Sequence, residues 1–257
     1  MIRRAVMTTS WDDGHPLDMK LADLLARYGL KGTFYIPRRA ENLTMAVPQI
    51  QQLSQSFEIG AHTLRHTFLD RVTELTAERE ITESKGWIED ITGKPCAMFC
   101  PPGGRFDQRH LRLVKAAGYS GLRSVELLSL AQPRRDMGVM ILPTTIQAFP
   151  HGRSAYFRNT LKRLEAKNLW RYVAYGCPTD WISLADRLLR HTMANGGVFH
   201  LWGHSWELEQ TGQWHNLEQL LALMGRYAAD MPCVSNIDLC ERRDTFQSVG
   251  QAMRVGA

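Results

Sequence analysis

Residues 5–37 read AVMTTSWDDGHPLDMKLADLLARYGLKGTFYIP, and this stretch decides the fold class. Ala5 to Trp11 has the β-rich, apolar make-up of a buried strand. Pro16 to Tyr28 follows with Leu17, Leu21, Leu24 and Leu25 on one face, the spacing of an amphipathic helix, and Gly29 closes it. Thr33-Phe34-Tyr35-Ile36 is a second β-rich run, stopped by Pro37. Strand, helix and strand with short links form one unit of a parallel sheet or of a (β/α) barrel.

The alternation continues outward from that unit. Phe57 to His62 predicts a third strand, Glu74 to Ile91 a long helix, and Ala97 to Cys100 a short strand stopped by Pro101-Pro102-Gly103-Gly104. Gln108 to Ala117 reads as a helix, Gly121 to Val125 and Val139 to Ile146 as apolar runs, and Ile182 to Ala194 as a helix that leads into Val198 to Trp202. Leu217 to Ala228 and Cys233 to Ile237 close the pattern. The stretch from Leu127 to Tyr175, which holds Pro143-Thr144-Thr145 and His151, follows no recognisable period. No linker, repeat or low-complexity segment divides the chain, so one domain over residues 1–257 is expected.

Composition narrows the function. With 257 residues, 44% of them apolar, the chain can bury a substantial core, and disordered, collagen-like and coiled-coil classes are excluded. Net charge is +5, from 31 Lys and Arg against 26 Asp and Glu. The basic pairs Arg3-Arg4, Arg38-Arg39, Arg134-Arg135 and Arg242-Arg243 never grow into a run, which predicts a solvated surface and no nucleic-acid partner. Five cysteines, an odd number without repeated spacing, predict reduced thiols and no zinc ribbon. The apolar stretch near the start is too short for an export signal, and no run of about 18 apolar residues follows, so a cytoplasmic location without a membrane span is expected.

Three polar clusters fall at the ends of predicted strands, where barrel enzymes carry their chemistry. Ser10-Trp11-Asp12-Asp13-Gly14-His15 sets two adjacent carboxylates beside a glycine that permits a turn directing them apart. His62-Thr63-Leu64-Arg65-His66 places two histidines four apart, which on a helical turn is a metal-ligand spacing. Phe199-His200-Leu201-Trp202-Gly203-His204-Ser205-Trp206-Glu207 brings two histidines and two tryptophans to the end of an apolar strand. Each cluster also has a plain structural reading: a common turn, a coincidence of spacing, and an aromatic strand with a satisfied histidine.

In this order, the clusters resemble the polysaccharide deacetylase family, also called the NodB-homology family or carbohydrate esterase family 4. The resemblance spans roughly residues 5 to 230 and implies a distorted seven-stranded (β/α) barrel. It further implies that Asp12 is the general base, that Asp13, His62 and His66 hold a divalent metal ion, zinc, and that His204 is the general acid, with His200 as the alternative. Phe99-Cys100-Pro101-Pro102-Gly103-Gly104 stands where the family has an Arg-Pro-Pro-Tyr-Gly-like turn. Cys100 takes the place of the arginine that orients the base, leaving Arg105 or Arg123 to substitute, while the backbone N–H around Gly103 remains available as an oxyanion donor. The family's Asp-Trp motif has no clear counterpart, and Asp180-Trp181 reads as a helix cap. Trp11, Trp202 and Trp206 are candidates to stack on a sugar.

The function expected from the resemblance is metal-dependent N-deacetylation of an acetamido sugar. The expected substrate is a nucleotide- or lipid-linked precursor of a cell-surface glycan such as O-antigen. A cyclic amide substrate on the same fold and a catalytically inactive sugar-binding protein are the alternatives.

Overall fold

The computed structural model describes residues 5–162 and 166–241. The basic pairs Arg3-Arg4 and Arg242-Arg243 lie outside the described residues. In chain order the elements are β1 (Ala5–Asp12), α1 (Asp18–Arg27), β2 (Thr33–Ile36), α2 (Val47–Ser54), β3 (Glu58–Ala61), α3 (Glu74–Thr92), β4 (Met98–Phe99), α4 (Gln108–Ala116) and β5 (Gly121–Arg123). The second half adds β6 (Arg134–Asp136), β7 (Val139–Leu142), β8 (Ile146–Gln147), α5 (Arg153–Lys162), α6 (Ala166–Ala174), α7 (Trp181–Asn195), β9 (Gly197–Gly203), α8 (Ser205–Gln210), α9 (Trp214–Tyr227) and β10 (Cys233–Val234).

All strands join one curled sheet in the order β6-β7-β5-β4-β3-β2-β1-β9-β8, with β10 also paired to β1. Eight of them, β7-β5-β4-β3-β2-β1-β9-β8, form an unbroken parallel path, to which antiparallel β6 and, off the path, β10 are added. This is the α/β, barrel-like class implied by the sequence. Side-chain caps open two of the expected helices. Thr73 accepts from the Thr76 N–H ahead of α3, and Asp107 accepts from the Arg109 and His110 N–H groups ahead of α4.

Strand alternation sorts the side chains into two layers. Met7, Trp11, Phe34, Ile36, Phe99 and Phe199 face the surrounding helices. Val6, Tyr35, Met98, Cys100, Met140, Leu142 and Val198 face the barrel interior. The chain after β10 fills the end of the barrel where the strands begin. There Asn236 donates to the Thr8 hydroxyl at 2.8 Å and accepts from the Tyr35 hydroxyl at 2.8 Å, and Thr33 donates to Glu58 at 2.6 Å. With that end plugged, a site can open only at the carboxyl ends of the strands, where Asp12, His62, Cys100, Arg123 and His204 lie. All five cysteines are free. Among the described residues, no helix is long and apolar enough to cross a membrane.

Candidate active site

The site begins with the turn after β1. Asp12 is the last residue of the strand and faces inward, whereas Asp13 and Gly14 adopt φ values of 76° and 61°. This left-handed pair swings the second carboxylate away from the first. A Cβ at Gly14 would lie 2.6 Å from Ile36 Cγ2, so the turn needs glycine for space as well as for dihedral angle.

His62 and His66 reach Asp13 from the loop after β3. The expected helical turn is absent: Thr63 and His66 have φ values of 60° and 55°, and residues 62–66 form an irregular loop. Spacing by four suggested a helix, but left-handed residues at both positions fold the segment back so that the two imidazoles converge. The Thr63 hydroxyl donates to the His62 carbonyl at 2.6 Å and accepts from the Thr67 N–H at 2.9 Å, and buried Glu80 accepts from the N–H groups of Leu64 and Arg65, both at 2.9 Å. Strain in a loop so held is maintained by its surroundings.

Asp13 Oδ1 is 3.4 Å from His62 Nε2 and 3.1 Å from His66 Nε2. The three ligand atoms all lie within 4.8 Å of one another. His62 Nδ1 donates to the Cys100 carbonyl at 2.7 Å, which leaves the Nε2 lone pair aimed at Asp13. Asp13 Oδ1 is buried and has no hydrogen-bond partner. Lone pairs gathered on a buried, unpartnered carboxylate oxygen repel one another unless a cation sits among them, so these residues fit a divalent metal. The other carboxylate oxygen accepts from the Trp206 indole N–H at 2.9 Å. Burial opposes ionisation of Asp13, but without a metal ion any ring N–H that His62 and His66 turn toward it, together with the His204 charge, outweighs burial and holds the carboxyl far below the usual carboxylate range.

Asp12 belongs to a different pair. Its Oδ1 accepts a short hydrogen bond from the guanidinium of Arg123, which is completely buried. Tyr35 and Trp202 flank that guanidinium with ring centroids at 5.2 and 5.0 Å. Burial pushes the Asp12 carboxyl up, but Arg123, His62 and His204 together bring it below its ordinary value. Cys100 Sγ lies 3.9 Å from Asp12 Oδ2, and Asp12, His62 and Cys100 form a second set of close potential ligands, although Arg123 already occupies one Asp12 oxygen. Arg105, the other sequence candidate to orient Asp12, instead lies near Asp70 at 3.4 Å and over the Phe68 ring.

On the opposite wall, His204 follows β9 and precedes α8. Its Nδ1 donates to Glu207 at 2.5 Å, and its Nε2 lies 4.0 Å from Asp12 Oδ2 and 3.9 Å from Asp13 Oδ2. Burial disfavours the charged ring, yet Glu207, Asp12 and Asp13 overcome it and raise its pKa to about 9. Gln147 donates to the same Glu207 oxygen at 2.8 Å, and His151 Nε2 lies 2.7 Å from Gln147 Oε1. His200 is differently placed. Its Nδ1 donates to the Pro143 carbonyl at 3.0 Å, its Nε2 lies 2.9 Å from the Ser10 hydroxyl, and burial together with Arg123 lowers its pKa to about 3. Both of its nitrogens are engaged inside the barrel.

The remaining candidates separate by burial. Trp11 has no exposed surface, lies on the helix-facing side of β1 and donates to the Thr9 hydroxyl at 3.2 Å. It is a core residue, and its expected stacking on substrate is corrected for that reason. Trp202 is also buried, between Arg123 and His204, and serves the packing of those side chains where an exposed sugar platform was expected. Trp206 is half-buried, with its ring 5.5 Å from that of His204. Gly103, in the turn Pro102–Gly104, has φ 61° and a hypothetical Cβ 3.0 Å from the Phe68 ring, which in turn packs 5.9 Å from His66.

Residues 3–122 match the family model described as polysaccharide deacetylase. These residues, just under half of the chain, are thus similar to the polysaccharide deacetylase family. The chain is 29% identical over 117 residues to peptidoglycan-N-acetylglucosamine deacetylase of Bacillus cereus, a match that covers 44% of this chain and 54% of that one. The chain thus spans about half the length of this curated relative. Among solved structures, peptidoglycan deacetylase PdaC of Bacillus subtilis superposes with a TM-score of 0.56 at 14% identity, covering 98% of this chain and 97% of that one. The carbohydrate esterase 4 domain of a xylanase from the hindgut metagenome of Trinervitermes trinervoides gives 0.56 at 13% identity, covering 94% and 92%. These identities establish a shared fold.

Three partners of the site, Glu207, Gln147 and His151, escaped the sequence reading. Glu207 holds His204 in place of the missing Asp-Trp motif, while Asp180 caps α7 by accepting from the Ile182 and Ser183 N–H groups. The signal for Glu207 is its spacing, three residues after His204, which becomes meaningful only once a helix starts at Ser205. Gln147 and His151 come from the stretch without a readable period.

Proposed function

We propose that the protein is a metal-dependent N-deacetylase acting on an acetamido sugar, with residues 1–257 as one catalytic domain and zinc as the metal. The observation that carries this reading is the meeting of Asp13, His62 and His66 beside two oppositely arranged pairs, Asp12–Arg123 and His204–Glu207. A divalent ion in the Asp-His-His cluster supplies Lewis-acid polarisation of the amide carbonyl and acidifies a water molecule. Asp12, ionised and steered by Arg123, takes the proton of the attacking water. The Pro102–Gly104 turn offers the Gly103 backbone N–H to the developing oxyanion. His204, protonated at Nε2 and held by Glu207, gives its proton to the departing amine, so acetate and a free amino sugar result.

The charged pairs also argue against an inactive binding protein, because sugar binding alone does not need a carboxylate and an imidazolium poised 4.0 Å apart. We place the substrate among cytoplasmic precursors of O-antigen-like polysaccharide. The test is acetate release by the zinc-loaded protein from a panel of neutral and anionic acetamido sugars, with a cyclic amide as control. Turnover of at least one sugar is expected, and Asp12→Asn should lower kcat by roughly two to four orders of magnitude with metal content unchanged. Ring opening of the cyclic amide without acetate release from any sugar overturns the reading.

A further inference from the structure

The loops after β2 and β3 build a concavity of their own. Arg38, Arg39, Leu64 and Arg65 line a cavity of about 230 Å³. Its floor is fixed, since the Arg39 N–H donates to the Leu64 carbonyl at 3.2 Å and Glu80 holds the Leu64 and Arg65 N–H groups from beneath. The three arginine side chains stand exposed above that floor. Among the described residues, none of them has an ion pair with a carboxylate. The nearby acid Asp70 faces Arg105, and Glu80 is engaged by backbone.

Three guanidiniums around one hollow repel one another, and neither the fold nor the hydrolytic chemistry requires them there. A concave, single-sign surface concentrates the opposite charge. Guanidinium forks match the oxygens of a phosphoryl group in paired, charge-assisted hydrogen bonds. Leu64 and Arg65 belong to the same loop as His62 and His66, so the hollow and the candidate metal cluster share one loop, and an anion held in the first can belong to the molecule hydrolysed at the second.

We infer that this pocket is a subsite for a phosphoryl group of the substrate, so that the protein acts on an acetamido sugar bearing a phosphate or diphosphate. This rests on the deacetylase reading of the Asp-His-His site. The subsite predicts that phosphorylated acetamido sugars are preferred over neutral ones, and that the preference depends on the arginines and not on the metal.

The experiment compares the zinc-loaded protein with its Arg38→Ala/Arg39→Ala variant in two ways. In calorimetry, pyrophosphate should bind the wild-type protein and bind the variant at least tenfold more weakly, with zinc content and thermal midpoint preserved. In kinetics, the variant should show a KM for N-acetylglucosamine 1-phosphate and for a nucleotide-diphosphate acetamido sugar roughly 10- to 100-fold higher, the size expected for lost hydrogen bonds to a charged group. The KM for neutral tri-N-acetylchitotriose should not follow. A rise confined to the nucleotide conjugate identifies a diphosphate as the preferred occupant, whereas equal rises identify a single phosphate. Pyrophosphate binding that is equal in both proteins, or KM changes shared by neutral and phosphorylated sugars, overturns the subsite. Arginine-dependent pyrophosphate binding without deacetylation of any sugar would leave the subsite standing and remove the deacetylase reading. Turnover of neutral and phosphorylated sugars alike that does not depend on the arginines would do the reverse.

Discussion

Two ion pairs face each other across the mouth of the barrel, and they are opposite in design. In Asp12–Arg123 the group nearest the proposed chemistry is the carboxylate, and the fixed partner is a cation without exposed surface, flanked by Tyr35 and Trp202. In His204–Glu207 the group nearest the chemistry is the imidazole, and its partner is a half-buried carboxylate on a six-residue helix. The first pair is part of the barrel interior, where an unmatched charge is costly. The second lies at the rim, where water can replace a lost partner. Damage to the two pairs should therefore be read by different instruments: folding for one, pH dependence for the other.

The largest effect is expected from Arg123→Met. An Asp12 carboxylate left alone in the interior should cost about 3–5 kcal/mol, which for a chain of this size lowers Tm by roughly 10 °C or more. Thermal unfolding followed by circular dichroism measures it. Registers Met98↔Gly121 and Phe99↔Leu122 place Cys100 beside Arg123 on the neighbouring strand, so Cys100→Arg in the same variant returns a cation to the same level of the barrel. Recovery of much of the lost Tm is expected from the double variant. An unchanged Tm in Arg123→Met would break the comparison, because it would mean that the interior tolerates the bare carboxylate.

Glu207→Gln should leave Tm within about 2 °C, as expected for a substitution near the surface, and act on the pH profile. The sign follows from the direction of the shift: Glu207 and the two aspartates raise the His204 pKa to about 9, so the acid form persists into the alkaline range. Without the Glu207 charge the proton leaves at lower pH, and the alkaline limb of kcat should move toward neutrality. Rates measured from pH 6 to 10 decide the point, and a limb that stays in place removes His204 from the role of proton donor.

How much of this was legible in the sequence depends on the range of the interactions involved. The strand from Ala5, the helix before Gly29 and the strand from Thr33 follow from local periodicity, because each side chain's environment repeats along the element. Asp12, Asp13, His62 and His66 stood out as an ordered pair of motifs, but the backbone that joins the two histidines did not. Spacing by four fits a helix as well as the loop that two left-handed residues produce here. The replacement of the missing arginine could only be narrowed to Arg105 or Arg123, since the choice depends on the β4–β5 register. Residues 127–175 resisted reading because β6 and β8 are only three and two residues long and α5 follows them without a clear stripe. Trp11 was misjudged for a related reason. Its neighbour Asp12 reaches the site, and strand alternation therefore turns Trp11 toward the helices.

Trp206 connects the two sides and gives the finest test of their separation. It shares α8 with Glu207 and packs on His204, yet its indole N–H donates to Asp13, on the metal side. Trp206→Phe keeps an aromatic ring beside His204 and removes that hydrogen bond. Hydrogen bonds of this kind orient a ligating carboxylate and are worth about 10- to 100-fold in metal affinity, and the lower end applies here because His62 and His66 still converge on the other Asp13 oxygen. Competition with a chromogenic zinc chelator should therefore show binding weakened about tenfold, with the alkaline limb of kcat unmoved. If the limb shifts while zinc affinity holds, the indole acts on His204 and not on Asp13, and the two pairs are coupled through the rim helix.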